Sequence, residues 1–269
     1  MQKAHPFFFA RPVFTHEEFA EFLADIRERS PRTVDSLLAY HTRMGRIVRI
    51  RRGLYASVPP GADPETYPVD PYLVAAKMSD DAALAYHTAL EFHGKAYSVY
   101  QRFTYLTHRA TRAFTFRGHS FRGVPFPKAL RDKQQEFFGV QKADRGGLMV
   151  YVTDLERTLV DVLDRPELGG GWEEVWRSLE SVEFFDLDRV VDYALFLGNA
   201  TTIAKVGFFL EQNREILMVD DRYLERLHAG RPQSPHYLER GSRQPHRLVS
   251  GWNLVVLQYL FERSWGEVT

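Results

Sequence analysis

The sequence predicts an α+β protein: a small basic head, then a larger mixed body with a β-rich middle and a helical C-terminal part. Three observations carry this. Residues 59–71, PPGADPETYPVDP, hold five prolines in thirteen positions. Proline removes backbone donors and disfavours helix in the residue before it, so the stretch reads as an extended linker. Residues 99–126 alternate aromatic and polar side chains (Phe114, Phe116, Phe121, Val124, Phe126), which is the period of strands with one buried face. From Thr153 onward the apolar spacing turns helical. The implied boundaries are a head over 1–58, a linker over 59–71 and a body over 72–269.

In the head, Thr15-His16-Glu17-Glu18 is a capping box. Phe19, Phe22, Leu23 and Ile26 follow at i, i+3, i+4 and i+7, one buried stripe. Ser30-Pro31 reads as an N-cap with proline in the first turn, and Gly45 stops that second helix after about Met44. Ile47–Arg51 and Leu54–Ala56 then flank Arg52-Gly53 as a two-strand hairpin. Helix, helix and basic hairpin in under 60 residues is the order of a winged helix-turn-helix, a reader of the DNA major groove.

In the body, a helix is expected over about 80–93, capped by Ser79 and ended by Gly94, and a strand over 148–152. A second capping box (Thr153, Glu156) opens a helix over 154–164, followed by helices over 172–182, 187–197, 201–214 and 221–229. The closing segment is rich in proline and arginine.

Composition excludes several function classes. There is no cysteine, hence no disulfide, no cysteine-based zinc site and no thiol catalysis. The longest apolar runs fall far short of the ~18 residues a membrane span needs. A cytoplasmic protein with no membrane partner is expected. The formal charge is zero, 35 basic against 35 acidic side chains, but it is sorted along the chain: +4 over 1–56, −4 over 57–100, +7 over 101–149, −10 over 150–225 and +3 over 226–269.

The basic head fits a polyanion. On a helical wheel Val34, Leu37, Leu38, His41 and Met44 share one side, while Arg32, Ser36, Ala39 and Arg43 share the other at i, i+4, i+7 and i+11. Arginine can donate two bonds to the guanine major-groove edge, and a small residue such as Ala39 lets the backbone approach. Asp35, at the rim, can accept from cytosine. Arg43, Arg46, Arg49, Arg51 and Arg52 place five positive charges in ten residues with no acid among them. Strand alternation would put Arg49 and Arg51 on one face, opposite Val48 and Ile50.

Three strings in register, GRIVRIRRGLYA (45–56), ALAYHTALEFHG (83–94) and VTDLERTLVDVLDRPELGGGWEEV (152–175), resemble the AbiEi family. These are antitoxins of type IV toxin–antitoxin systems, also described as transcriptional regulators of viral defence. The resemblance runs from about Phe14 to the end. It implies a winged head, a linker and an antitoxin body; a protein that binds repeats in its own promoter and represses an operon; and a partner toxin of the nucleotidyltransferase fold encoded beside it. It carries the family's DNA contacts onto Arg32, Ser36, Arg43, Arg46, Arg49, Arg51, Arg52 and Tyr55, and assigns no residue to toxin neutralisation.

Rival chemistry is weaker. Gly169-Gly170-Gly171 precedes a helix whose first turn, Trp172-Glu173-Glu174, would repel a phosphate. The glycine run followed by Asp186-Leu187-Asp188 imitates a nucleotidyltransferase metal motif, but Arg189 would compete with the metal, and Asp186 makes a good N-cap. His87, Glu91 and His93 do not converge as metal ligands need to, and read as a polar pair with a bystander. Asp161 and Asp164, with Arg157 and Arg165, read as a salt-bridged surface rather than paired catalytic carboxylates. No [Asp/Glu]-x-Lys triplet, P-loop or Gly-x-Ser-x-Gly occurs. No enzyme activity, metal or cofactor is therefore expected. In the middle zone Arg109, Arg112, Arg117 and Arg122, interleaved with rings, form a second basic surface, and RNA binding through it is the alternative to DNA regulation.

Overall fold

A computed structural model describes residues 5–26, 29–109, 111–239, 241 and 244–262. The chain is mixed α+β and divides into two compact units: 1–84, 101–124 and 142–151 make the first, and 85–100, 125–141 and 152–269 the second. In chain order the first part runs α1 (His5–Ala10), β1 (Val13–Thr15), α2 (His16–Ile26), α3 (Pro31–Arg43), β2 (Ile47–Arg51), β3 (Leu54–Ser57), α4 (Pro71–Ala76), β4 (Ala83–Leu84) and α5 (His87–Phe92). β5 (Arg102–Thr107), β6 (Phe114–Phe116), β7 (His119–Pro125), α6 (Lys128–Asp132), β8 (Val140–Arg145) and β9 (Leu148–Thr153) follow.

The head's elements form for the reasons their residues supply. Thr15 N donates to Glu18 Oε2 at 2.9 Å and Glu18 N to Thr15 Oγ1 at 3.2 Å, a reciprocal box at the start of α2. Ser30 accepts from Thr33 N and Pro31 opens α3. Gly45, at φ +66°, takes the left-handed conformation that ends it. Phe7, Phe14, Phe19, Leu23, Val34, Leu38 and Ile47 make the head's core, each large side chain contributing about 1.5–3 kcal/mol when fully buried. β1, β3 and β2 form a three-stranded antiparallel sheet in that spatial order. Neither α1 nor β1 had a readable signal in the sequence: six residues and three residues are too short to show a period.

The rest of the first unit is built on a six-stranded sheet, order β6-β7-β5-β4-β9-β8, with Phe103, Tyr105, Leu106 and Phe121 buried. The proline-rich stretch 59–71 lies inside this unit and marks no boundary between units. Arg117 donates to the carbonyls of Pro64 and Tyr67, and Arg145 pairs with Asp70 at 2.7 Å, the N-cap of α4. A segment short of backbone donors leaves carbonyls that a guanidinium fork can satisfy, so the stretch is clamped, not slack.

The second unit continues with α7 (Leu155–Asp164), α8 (Pro166–Gly169), α9 (Trp172–Glu180), α10 (Leu187–Leu197), α11 (Ala200–Gln212) and α12 (Asp221–Ala229). A small sheet, β10 (His236–Tyr237), β12 (Leu254–Leu257) and β11 (His246–Val249) in spatial order, and α13 (Gln258–Glu262) close the described chain. Three expectations need correction. Residues 80–86 are not helical: Ala83 and Leu84 pair with Leu106 and Tyr105 as a strand, and helix starts only at His87. The cap of α7 is Asp154, which accepts from Arg157 N at 2.8 Å, whereas Glu156 accepts from Asp186 N. Arg157 and Asp161 are buried, not a surface pair. They meet at 3.2 Å, with Tyr193 donating to Asp161 at 2.7 Å and Arg157 donating to the Glu136 and Phe138 carbonyls.

Candidate nucleic-acid interface

α3 turns two distinct faces. Val34, Leu38 and His41 are buried in the head's core, and Leu37 packs against it. Arg32, Asp35, Ser36, Ala39 and Arg43 are exposed. Among the described residues neither Arg32 nor Arg43 has an acidic partner. Ser36 Oγ donates to the Arg32 carbonyl at 2.8 Å, so its oxygen remains able to accept from a base amino group. Met44, expected on the core side, is half exposed at 52% because the helix has already ended.

The hairpin departs from simple alternation. Its register pairs Arg49 with Tyr55 and Arg51 with Leu54, with a bulge between Arg49 and Arg51. Tyr55 and Leu54 are consecutive on β3 and point to opposite faces, so Arg49 and Arg51 point to opposite faces too. This overturns the expectation that they share one: the extra residue of a bulge shifts the pleat by one step. Arg49 stays exposed on the face of the half-buried Tyr55, while Arg51 is half-buried and donates to the Met78 carbonyl. Arg52, at the turn beside Gly53, is exposed and unpaired among the described residues. Arg46 is exposed and lies over the Tyr40 ring at 5.9 Å.

α2, α3 and the hairpin enclose an open groove of about 930 Å³. Asp35, Ala39, Thr42 and Arg43 come from α3, Arg49, Arg52 and Tyr55 from the hairpin, and His16 and Glu17 from α2. His16 N donates to the Gly53 carbonyl at 2.8 Å, fixing the hairpin turn against α2. Tyr55 stacks on Phe14, ring centroids 5.8 Å apart, and burial pushes its hydroxyl above the ordinary value against the opposing charge of Arg49. It therefore stays a neutral donor and acceptor. His16 Nε2 meets Oδ1 of Asp35, the one acid on the outer face of α3, at 3.0 Å. Sequence reasoning missed both Thr42 and His16. Thr42, seven residues beyond Asp35, was legible on the wheel, whereas His16 is brought in only by tertiary packing.

The remaining candidates separate. Arg109, Arg112 and Arg122 are exposed in the first unit, but Arg117 is half-buried and spent on clamping the proline-rich stretch. In the second unit, Gly171 is the N-cap position of α9, and Asp186 caps α10 by accepting from Arg189 N at 3.2 Å. His87 stacks on Tyr100 and meets Glu174 at 3.1 Å, while His93 bonds the Thr153 carbonyl at 2.8 Å. Burial raises the Glu174 carboxyl, but the bonds from Ser98 and His87 more than offset this and hold it below its usual range. No group of three or more His, Asp or Glu among the described residues could hold a metal ion. No helix among them is long and apolar enough to cross a membrane.

Among solved structures the chain is similar to the RV2827C protein of Mycobacterium tuberculosis, with a TM-score of 0.60 and 18% identity over 95% of this chain and 92% of that one. At that identity the likeness shows a shared fold. No protein-family model matches the sequence, and no curated protein does.

Proposed function

We propose that the protein is a non-enzymatic, duplex-DNA-binding repressor whose N-terminal part is a winged helix-turn-helix, α3 being the reading helix and the β2–β3 hairpin the wing. The order α1-β1-α2-α3-β2-β3, with three strands in one small sheet, supports the winged-helix reading. The observation that carries the function is the convergence on one groove of exposed Arg43, Arg49 and Arg52, with Arg32 further along the same helix face. Arginines held without acidic partners suit phosphates and guanine edges. The resemblance of three strings to AbiEi antitoxins supports a second role: counteracting a nucleotidyltransferase-fold toxin encoded in the same operon.

The test is binding to duplex from the protein's own upstream region over a salt series. Affinity should fall steeply with salt, and Arg49→Ala/Arg52→Ala should reduce the slope of log K against log salt by about 0.9 for each phosphate left unneutralised, with thermal stability unchanged. Wild-type binding that is indifferent to salt would remove the DNA reading. For the antitoxin role, the same double variant should lose repression yet still rescue growth when co-expressed with the neighbouring toxin. Failure of the wild type to rescue would remove that role alone.

A further inference from the structure

Five arginines and no acid lie between residues 101 and 124, and the structure sorts them by use. Arg117 is an internal clamp. Arg109 and Arg112, on the loop between β5 and β6, are exposed and have no acceptor among the described residues.

That loop is held at both ends. His108 N donates to Asp81 Oδ2 at 2.6 Å, and Thr107 Oγ1 donates to Asp81 Oδ1 at 2.8 Å. Thr111 Oγ1 bonds the Tyr105 hydroxyl at 3.1 Å and accepts from Gly123 N at 3.0 Å. Asp81, the acid that holds the base of the loop, is thus engaged by backbone and hydroxyl donors. Although burial raises its carboxyl, those donors more than offset this and hold it below its ordinary range.

Further bonds link the base of the loop to the hairpin. Arg51 donates to the carbonyl of Met78, and Ser79 Oγ, one residue on, donates to Thr107 Oγ1 at 3.2 Å. The Tyr105 hydroxyl, whose partner is Thr111, also feels the charge of Arg51. Arg51 lies on the face of the hairpin opposite Arg49 and the groove. The base of the loop is therefore tied, through Ser79 and Met78, to the face of the hairpin that carries Arg51, and α3, hairpin and loop are three cationic elements of the first unit.

We propose that the β5–β6 loop is a second phosphate-binding element, in which Arg109 and Arg112 grip the backbone of the same duplex beyond the hairpin. This rests on the DNA-binding reading above. An anchored loop loses little entropy when its arginines bind, and phosphate-gripping side chains lengthen the footprint without reading sequence.

The experiment measures salt-dependent binding of the full chain to a duplex of about 10 base pairs, one helical turn, and to one of about 20. Arg109→Ala/Arg112→Ala should lower the slope on the longer duplex by about 2, at about 0.9 per phosphate, equally for operator and scrambled sequence, and leave the short duplex unaffected. Arg109→Lys/Arg112→Lys should keep the wild-type slope, because a phosphate needs charge rather than a planar fork. An Ala variant with the wild-type slope on the longer duplex, while Arg49→Ala/Arg52→Ala still weakens binding, overturns this proposal and spares the DNA reading. A loss seen with structured RNA and not with duplex DNA overturns it in favour of an RNA surface. No binding of any duplex by the wild type overturns both.

Discussion

Arg49 and Arg51 stand two positions apart and have opposite jobs. Arg49 is exposed and its Nε donates to the Arg51 carbonyl at 3.4 Å, and on the proposed reading it meets the ligand; Arg51 props the hairpin by donating to the Met78 carbonyl. Removing a charged hydrogen bond of this kind costs about 1.5–3 kcal/mol. Arg51→Ala should therefore lower the melting temperature and leave the salt slope of DNA binding unchanged, the reverse of Arg49→Ala; a slope that falls with Arg51→Ala at constant stability contradicts the assignment. His41 gives a pH test. Its ring is buried against Phe8 at 4.9 Å, and burial, with the Arg46 charge adding, holds its pKa below the ordinary value of 6.5. The unfolded chain takes up that proton first, so the stability His41 confers is complete above about pH 6.5 and is lost as pH falls below it. His41→Leu should flatten the stability profile between about pH 6.5 and 5, and an unchanged profile would mean that His41 is not the group that titrates. The two faces of α3 were legible because a helical wheel needs only local spacing. The inward turn of Arg51 was not, because a bulge depends on cross-strand register.

Elements show the same division between local and distant causes. The α2 box, the Ser30-Pro31 start, the Gly45 stop and the Arg52-Gly53 turn were all readable, each resting on residues within four positions of one another. The helix expected over 80–93 failed at its front half because Ala83 and Leu84, good helix formers, are drawn into a sheet by a partner more than twenty residues away. In α11, Gly207 shows packing overriding propensity. Glycine in a helix interior costs about 1 kcal/mol relative to alanine, but a Cβ there would stand 2.2 Å from Trp252. That ring cannot yield easily: it is buried, stacks on His228 at 3.9 Å and donates to Glu211 at 2.8 Å. Overpacking costs of about 1–3 kcal/mol or more exceed the propensity gain, so Gly207→Ala should lower stability in a urea titration. A variant as stable as wild type would show that Trp252 is free to move.

For the whole molecule, zero net charge conceals two units of opposite sign. The first carries 18 basic and 12 acidic side chains, the second 17 and 23. The sequence showed this sorting but not its boundaries. The proline-rich stretch looked like a linker, whereas Arg117, Arg145 and Gly45 bind it into the first unit: a Cβ on Gly45 would stand 2.8 Å from Pro64. On the proposed DNA-binding reading, charge alone would direct a polyanion to the first unit and repel it from the second. Amide hydrogen exchange with and without a saturating duplex tests this most directly. Protection is predicted over residues 32–43 and 46–55, with none on α10 or α12; protection confined to the second unit, or absent at saturation, would contradict it.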